Sequence, residues 1–211
     1  MSRYRKELYP VTIFHSSVSD NQKLKNLIIP YIQETRQQIK DSPEGWFTSN
    51  IITSFEKPNI NSIFFDKGTI SQEIQSQYMD VIKTFFDQEW EVDIDSMWYN
   101  YYEYGEYQEG HTHMGDFNSP IHFACIHFLV FDPKVHSPLV FTDPLSRLRS
   151  TSLEMNSSNY SEKHKMNVRE GDFLMFPSYL EHEVKAGLPT PGNPRITISF
   201  NIKVLRYGNE K

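Results

Sequence analysis

Several sequence features that would assign the chain of 211 residues to a protein class are rare or absent. It contains one cysteine, Cys125, inside an apolar run. An intrachain disulfide is therefore excluded, and a reducing compartment is expected. No stretch approaches the roughly 20 uninterrupted apolar residues of a membrane span, and the N-terminal "MSRYRKELYPVTIF" lacks the apolar segment of a signal peptide. These absences predict a cytoplasmic protein that does not enter membranes.

Positive charge is also scarce. There are 21 Lys and Arg residues against 27 Asp and Glu residues, so the formal net charge is -6. General binding to nucleic acid or to anionic lipid depends on clustered cations. Neither partner is expected here.

Glycine is sparse, whereas aromatic residues are abundant, with 15 Phe and 12 Tyr. This composition favours strands and aromatic packing. From Met97 onward, short apolar runs alternate with turn residues: "MWYNYYEY", "IHFACIHFLVF", "SPLVFTD", "GDFLMFPSYLEHEV" and "RITISFNIKVL". Many short strands of this kind predict an antiparallel sandwich or barrel.

The first 90 residues are predicted to be helical wherever they are regular. Asp20 can cap a helix with an apolar face, which Pro30 should kink or delay. Thr69 and Gln72 have the spacing of a capping box before a second apolar helical pattern. We predict one domain over 1–211, in which a helical support, 1–90, covers one face of a β core, 91–211; the segment "LRSTSLEMNSSNYSEK" is predicted to be an exposed loop.

The stretch "YQEGHTHMGDF" carries a candidate metal-binding pair. On a strand, residues two apart share a face, so His111 and His113 would present both imidazoles to one point. Imidazole suits iron, zinc, copper and nickel, so the pair alone does not select a metal.

Two later segments offer partners for this pair. His182 follows the strand-like "GDFLMFPSYL", and Arg195 begins a run in which polar and apolar residues alternate. An arginine that points into a barrel is costly without an anion, and a carboxylate bound by two hydrogen bonds is its natural partner.

The order of these motifs resembles the Fe(II)/2-oxoglutarate oxygenase superfamily. The pattern there is H-x-D/E, a distal His, and an Arg with a hydroxyl residue two positions later. More narrowly, the chain is similar to a branch from bacteria and tailed phages with W-x-N before H-x-H and a late "FPS…H…R-x-S-x-S-F-N". The matching residues here are Trp98, Asn100, His111, His113, Phe176, Pro177, Ser178, His182, Arg195, Thr197, Ser199, Phe200 and Asn201.

The resemblance implies a double-stranded β-helix, the jelly-roll fold of the cupins, with N-terminal helices on one face. It implies that Fe(II), 2-oxoglutarate and O₂ are used to hydroxylate a C–H of a peptide, protein or small molecule, with release of succinate and CO₂. His111, His113 and His182 would hold the iron. Arg195, helped by Thr197, would bind the distal carboxylate of 2-oxoglutarate.

Three further residues are predicted to touch the co-substrate. Asn100 and Tyr102 alternate on the strand before the histidine pair. His127 stands where the branch has a tyrosine that can contact 2-oxoglutarate, and Thr197 replaces the usual serine while keeping the hydroxyl.

Two questions stay open at the level of sequence. Asp116 could replace one of the paired histidines as a ligand if Gly115 lets the chain bulge, although strand parity favours the three histidines. The protein could also be a cupin-like isomerase, a dioxygenase that does not need 2-oxoglutarate, or a barrel that only binds a partner.

Overall fold

A computed structural model describes residues 11–41, 43–44, 46, 51–86, 90–116, 118–146, 162–187 and 192–206. Its helices are α1 (Asn21–Thr35), α2 (Ser62–Phe65) and α3 (Thr69–Lys83), with a 3-10 turn at Arg36–Gln38. Its strands are β1 (Phe14–Ser17), β2 (Ile52–Thr53), β3 (Glu91–Tyr102), β4 (Gln108–His111), β5 (Gly115–Asp116), β6 (Ser119–Pro120), β7 (Phe123–Val130), β8 (Leu139–Thr142), β9 (Lys163–Lys165), β10 (Asp172–Pro177), β11 (His182–Val184) and β12 (Arg195–Arg206).

Two antiparallel sheets form the core of the molecule. The larger has the order β1-β10-β7-β12-β3-β2, and the smaller has the order β4-β11-β8-β9. A short hairpin of β5 and β6 stands apart from both. The predicted mainly β, double-stranded β-helix architecture is confirmed. No helix among the described residues is long and apolar enough to cross a membrane.

The apolar side chains divide between two cores because strand residues alternate between faces. One core lies between the larger sheet and the helices, and it includes Leu24 and Ile28 of α1 and Ile74 and Tyr78 of α3. The other core contains inward-facing residues such as Phe128 of β7. The helices thus cover one face of the sheet, as predicted, and leave the other face for a site.

Helix α1 begins where its cap was predicted. The Asp20 carboxylate accepts a hydrogen bond from the Lys23 amide at 2.8 Å, which satisfies one of the free N–H groups of the first turn. Pro30, however, lies inside the helix instead of delaying its start. Its side chain is exposed, so the apolar face formed by Leu24, Ile28 and Ile32 packs without interruption.

Helix α3 has the predicted apolar face but not the predicted cap. Its N-cap is Gly68, which has no side chain to form a capping hydrogen bond, and Thr69 is the first helical residue. The Ser71 hydroxyl donates to the Gly68 carbonyl, and the Gln72 amide reaches back to the Lys67 carbonyl at 3.4 Å. The capping box between Thr69 and Gln72 is therefore not formed.

The first 90 residues also contribute strands, which the helical interpretation missed. Strand β1 pairs with β10 and β2 pairs with β3, so both lie at edges of the larger sheet. Strands this short carry too little alternation to be read from sequence. The predicted loop "LRSTSLEMNSSNYSEK" lies mainly outside the described residues, and its last lysine begins β9.

Candidate metal centre and co-substrate cavity

Three histidines from two separate segments meet at one end of the smaller sheet. His111 ends β4 and is the direct cross-strand partner of His182, the first residue of β11. His113 lies beyond β4, where its backbone N–H donates to the Ser178 carbonyl at 2.8 Å. One potential ligand atom from each ring lies within 4.8 Å of the others.

The hydrogen bonds of the three rings decide which nitrogen is free. Nδ1 of His111 lies 2.9 Å from the Glu109 carbonyl, and Nδ1 of His182 lies 3.0 Å from the Leu180 carbonyl. Nδ1 of His113 lies 2.8 Å from Oδ1 of Asn201. Carbonyl and amide oxygens only accept hydrogen bonds, so each Nδ1 must carry the proton. Each Nε2 then keeps its lone pair, as a metal ligand requires.

Burial keeps these rings neutral. It lowers the pKa of His113 to about 4, with a further contribution from the neighbouring His111. Burial and then the two neighbouring rings place the pKa of His182 well below its usual range, and burial lowers that of His111. Three neutral imidazoles form a donor set that fits iron, nickel or zinc.

Asp116 does not join the cluster. Its side chain is exposed and accepts hydrogen bonds from the backbone N–H groups of Asn118 and Ser119, at 2.8 and 2.7 Å. Gly115 does adopt a positive φ of 69°, but the resulting turn directs the carboxylate into the β5–β6 hairpin. Among the described residues, the group with metal-ligand spacing consists of the three histidines alone.

A buried guanidinium lies across the cavity from the histidines. Arg195, the first residue of β12, is 3% exposed, and its Nε and Nη1 have no hydrogen-bond partner among the described residues. The group lies 4.6 Å from the centre of the Tyr102 ring and 5.6 Å from that of Phe128. Burial lowers the pKa of Arg195, although the Tyr102 hydroxyl opposes this shift. A buried cation with open donors is a site for an anion.

The polar face of two neighbouring strands lines the space between the arginine and the histidines. Thr197 pairs with Asn100 across β12 and β3, and Arg195 pairs with Tyr102. Asn100 is held by the Thr53 hydroxyl at 2.7 Å and donates to Ser199 at 3.1 Å. The full lining comprises Trp98, Asn100, Tyr102, Gln108, His111, His113, Ile126, Leu139, His182, Val184, Arg195, Thr197 and Ser199.

His127 is the predicted site residue that this cavity does not include. Its neighbour Ile126 lines the cavity, so the alternation of β7 turns the His127 ring to the helical side. There it is fully buried, with Nδ1 2.8 Å from the Tyr78 hydroxyl of α3. In this position it cannot contact a ligand bound between Arg195 and the histidines.

The neighbouring tyrosines do not form an aromatic wall around this cavity. Of the four tyrosines in "YYEYGEY", only Tyr102 lines the cavity. Tyr101 belongs to the core on the helical side, whereas Tyr104 and Tyr107 are exposed. Strand alternation separates the first two, and the turn that follows β3 exposes the others.

Sequence reasoning also missed a large open groove beside the metal cluster. It is much larger and more open than the cavity with Arg195. Trp98 lines both, and its ring packs against that of His113 with centroids 5.6 Å apart. Segment 55–66 and the β5–β6 hairpin contribute to its walls. Only the fold brings these segments together, so no local sequence signal could have indicated the groove.

Comparison with known proteins identifies the family. Residues 96–201, half of the chain, match the family model described as "Putative 2OG-Fe(II) oxygenase". The chain belongs to this family. The match contains all three histidines and Arg195. It does not favour the cupin-like or purely binding alternatives.

Solved structures of similar fold include several 2-oxoglutarate oxygenases. A prolyl-4-hydroxylase from Pseudomonas putida is 12% identical, with a TM-score of 0.58 and coverage of 94% of each chain. HygX from Streptomyces hygroscopicus, solved with nickel, 2-oxoglutarate and hygromycin B, is 10% identical with a TM-score of 0.55, covering 95% of this chain and 86% of HygX. AviO1 from Streptomyces viridochromogenes is 11% identical with a TM-score of 0.59, covering 95% and 92%. No curated protein matches the chain significantly.

The family and the geometry agree on the cofactors. As a 2OG-Fe(II) oxygenase, the chain uses Fe(II), 2-oxoglutarate and O₂. The three neutral histidines could hold the metal, and the open donors of Arg195 suit an anionic co-substrate.

Proposed function

We propose that this oxygenase is a hydroxylase, which converts a C–H of its substrate to C–OH and 2-oxoglutarate to succinate and CO₂. The observation that carries the proposal is the buried guanidinium of Arg195 in the same cavity as three histidines whose ligand atoms lie within 4.8 Å of one another. A buried cation with unpaired donors favours an enzyme with an anionic co-substrate over a cupin that does not need 2-oxoglutarate.

His111, His113 and His182 are the proposed metal ligands. Bound there, Fe(II) would supply the oxygen chemistry of the family, which requires coordination positions that the protein leaves open. The three side chains bring no negative charge, unlike the two histidines and one carboxylate common in the superfamily. The dianionic co-substrate therefore neutralises more of the metal's positive charge than it would beside a protein carboxylate. We expect each of the two, metal and 2-oxoglutarate, to increase the affinity for the other.

Arg195 is proposed to bind the distal carboxylate of 2-oxoglutarate. Its Nε and Nη1 have no partner among the described residues and are available as donors to an anion, and the guanidinium lies over the rings of Tyr102 and Phe128. Thr197, Asn100 and Tyr102 lie along the route from the guanidinium to the histidines and are proposed to contact the rest of the molecule.

The substrate is proposed to enter through the large groove beside His113. The cavity with Arg195 is assigned to the co-substrate, whereas the groove is much larger and is lined by Trp98 next to the metal cluster. Its mixed walls, with Phe55 and Met97 beside Ser62 and Asp66, suit a peptide or a polar small molecule. Solved oxygenases of this fold include a prolyl hydroxylase with a peptide fragment and HygX with hygromycin B.

The proposal is tested by anaerobic titration with Fe(II) and then with 2-oxoglutarate. We expect about one Fe(II) per chain and, on addition of 2-oxoglutarate, the weak visible charge-transfer band of iron chelated by a keto acid. Succinate formation is then measured in air, with and without candidate peptides and small molecules.

Two results would contradict the proposal in different ways. A folded sample that takes up no Fe(II) would remove the metal site. A sample that binds Fe(II) but gives neither the charge-transfer band nor succinate at saturating 2-oxoglutarate would remove the co-substrate.

A further inference from the structure

His113 differs from the other two histidines in what holds its outer nitrogen. His111 and His182 donate from Nδ1 to backbone carbonyls two residues earlier, at Glu109 and Leu180. Each acceptor belongs to the same local segment as its histidine, so it is in place as soon as that segment is folded. The acceptor for His113 is instead the side chain of Asn201, 88 residues away on β12 and 2.8 Å from Nδ1.

An amide side chain is an ambiguous partner for a histidine. If Oδ1 faces the ring, Nδ1 carries the proton and Nε2 is free; if Nδ2 faces the ring, Nδ1 must accept and the proton moves to Nε2. Only the first arrangement leaves Nε2 able to bind a metal.

Ser96 contacts the other end of the same amide. Nδ2 of Asn201 donates to the Ser96 hydroxyl at 3.0 Å, and Oδ1 faces Nδ1 of His113 at 2.8 Å. Ser96 and Asn201 are direct cross-strand partners on β3 and β12, and the register shifts immediately after Asn201. Such a bulge redirects neighbouring side chains and is common beside active sites.

The position of Asn201 also follows the polar face of its strand. Arg195, Thr197 and Ser199 line the co-substrate cavity, and Asn201 continues their alternation into the neighbouring groove. It thus stands at the junction between the proposed co-substrate and substrate spaces, behind the ligand ring of His113.

We infer that Asn201 is the positioning residue that holds the His113 ring through Nδ1, in the arrangement that leaves Nε2 to the metal. This inference rests on the proposed metal site. Asn201 is not itself a metal ligand and acts on the metal site through His113. It holds the proton on Nδ1 and fixes the plane of the ring, so that Nε2 is presented to the metal before metal arrives.

The test compares three variants of the whole protein. Asn201→Leu removes the acceptor, Asn201→Asp replaces it by a carboxylate, and Ser96→Ala releases the amide. Asn61→Leu is the matched control, because Asn61 forms a similar pair with Ser54 without contacting a histidine. Nickel affinity is measured by competition with a chromophoric chelator, and the His113 tautomer is read by long-range nitrogen–proton NMR of the metal-free protein.

We expect Asn201→Leu to lose about 10- to 100-fold in nickel affinity, the usual effect of removing such an outer hydrogen bond. Its His113 should no longer show the Nδ1–H tautomer alone. Ser96→Ala should move in the same direction by less, and Asn201→Asp should bind nickel at least as tightly as the wild type, because a carboxylate is the stronger acceptor. Asn61→Leu should leave both measurements unchanged.

Two outcomes would overturn the inference. One is a folded Asn201→Leu that keeps the Nδ1–H tautomer, whatever its nickel affinity, since any loss would then reflect general damage. The other is an Asn201→Asp that binds nickel as weakly as Asn201→Leu. If Asn201→Leu does not fold, the nickel affinity and the His113 tautomer of Ser96→Ala and Asn201→Asp still test the inference. A wild type that binds no metal would refute the proposed function, whereas the tautomer of its metal-free form would still test Asn201.

Discussion

The buried side chain of Arg195 indicates that an anionic ligand binds at this position. A guanidinium out of contact with water is costly unless it is paired, yet its Nε and Nη1 find no acceptor among the described residues. The neighbouring rings of Tyr102 and Phe128 compensate in part, because a cation is attracted to an aromatic face. An anionic ligand would supply what these rings do not.

We predict that Arg195→Leu weakens 2-oxoglutarate binding and leaves metal content near that of the wild type. A charge-assisted hydrogen-bonded pair contributes roughly 1.5 to 3 kcal/mol, hence about 10- to 100-fold in affinity. Calorimetric titration of the nickel-loaded protein measures the effect. Arg36→Leu is the control, since Arg36 packs over the Tyr101 ring outside the cavity. Unchanged affinity in Arg195→Leu would show that the co-substrate binds elsewhere.

His113 and Asp116 allow the ligand assignment to be tested directly. We predict that His113→Ala abolishes tight Fe(II) binding, because the cluster loses one of three donors. Asp116→Ala should keep its iron, since that carboxylate holds only the turn of a hairpin. His113→Asp should retain some metal through two histidines and one carboxylate. Metal analysis of the purified variants decides, and a reversed result for His113→Ala and Asp116→Ala would make Asp116 the ligand.

At the scale of elements, helix α1 contains a proline that its packing tolerates. Pro30 has no N–H, so the Asn26 carbonyl lacks its donor within the helix, and the ring disturbs the preceding turn. The apolar face of α1 against the larger sheet offsets this cost, with Leu24, Ile28 and Ile32 completely buried. Tertiary burial here overrides a strong local preference.

We predict that Pro30→Ala raises the free energy of unfolding by about 2 kcal/mol. The gain is the interior cost of proline, roughly 3 kcal/mol, reduced by the greater freedom that alanine allows the unfolded chain. Because Pro30 is exposed, no packing is lost. Urea denaturation measures the change, with Glu34→Ala, at another exposed position of α1, expected to stay within about 0.5 kcal/mol of the wild type. A destabilised Pro30→Ala would contradict the account.

At the scale of the whole molecule, a buried histidine links folding to pH. Burial lowers the pKa of His127 to about 3, against about 6.5 in an unfolded chain. As pH falls below 6.5, the unfolded state takes up a proton that the folded state refuses until pH is near 3. The stability that His127 contributes is therefore complete above pH 6.5 and is lost progressively between these values.

We predict that the wild type loses about 2 kcal/mol more stability than His127→Gln between pH 7 and pH 5, from one proton at about 1.4 kcal/mol per pH unit. Glutamine keeps an acceptor for the Tyr78 hydroxyl but does not titrate. Urea denaturation of the metal-free proteins at each pH gives the change of unfolding free energy with pH for both proteins. The three clustered histidines are present in both, so the difference between the two slopes is due to His127. Parallel slopes would mean that His127 is accessible to protons in the folded state.

The sequence by itself predicted most residues of the candidate site and the class of the fold, with His127 as the exception. Two histidines one residue apart, a distal histidine and an arginine heading an alternating strand are local patterns, and alternation is a property of a single strand. The apolar period of α3 and the cap of α1 are equally local. These features could be read without knowing any neighbour in space.

Tertiary structure decided which face of each strand is inside and what each side chain meets. Moving a strand by one residue exchanges its faces, so alternation alone could not tell that Ile126 lines the cavity while His127 faces α3. Strands β1 and β2 exist because the larger sheet offers unpaired edges. Asn201 lies 2.8 Å from Nδ1 of His113, and only the pairing of β12 with its neighbours brings the two side chains together. A contact between residues so far apart in the chain costs conformational entropy that no local pattern can supply, and only burial of the complete sheet compensates for it.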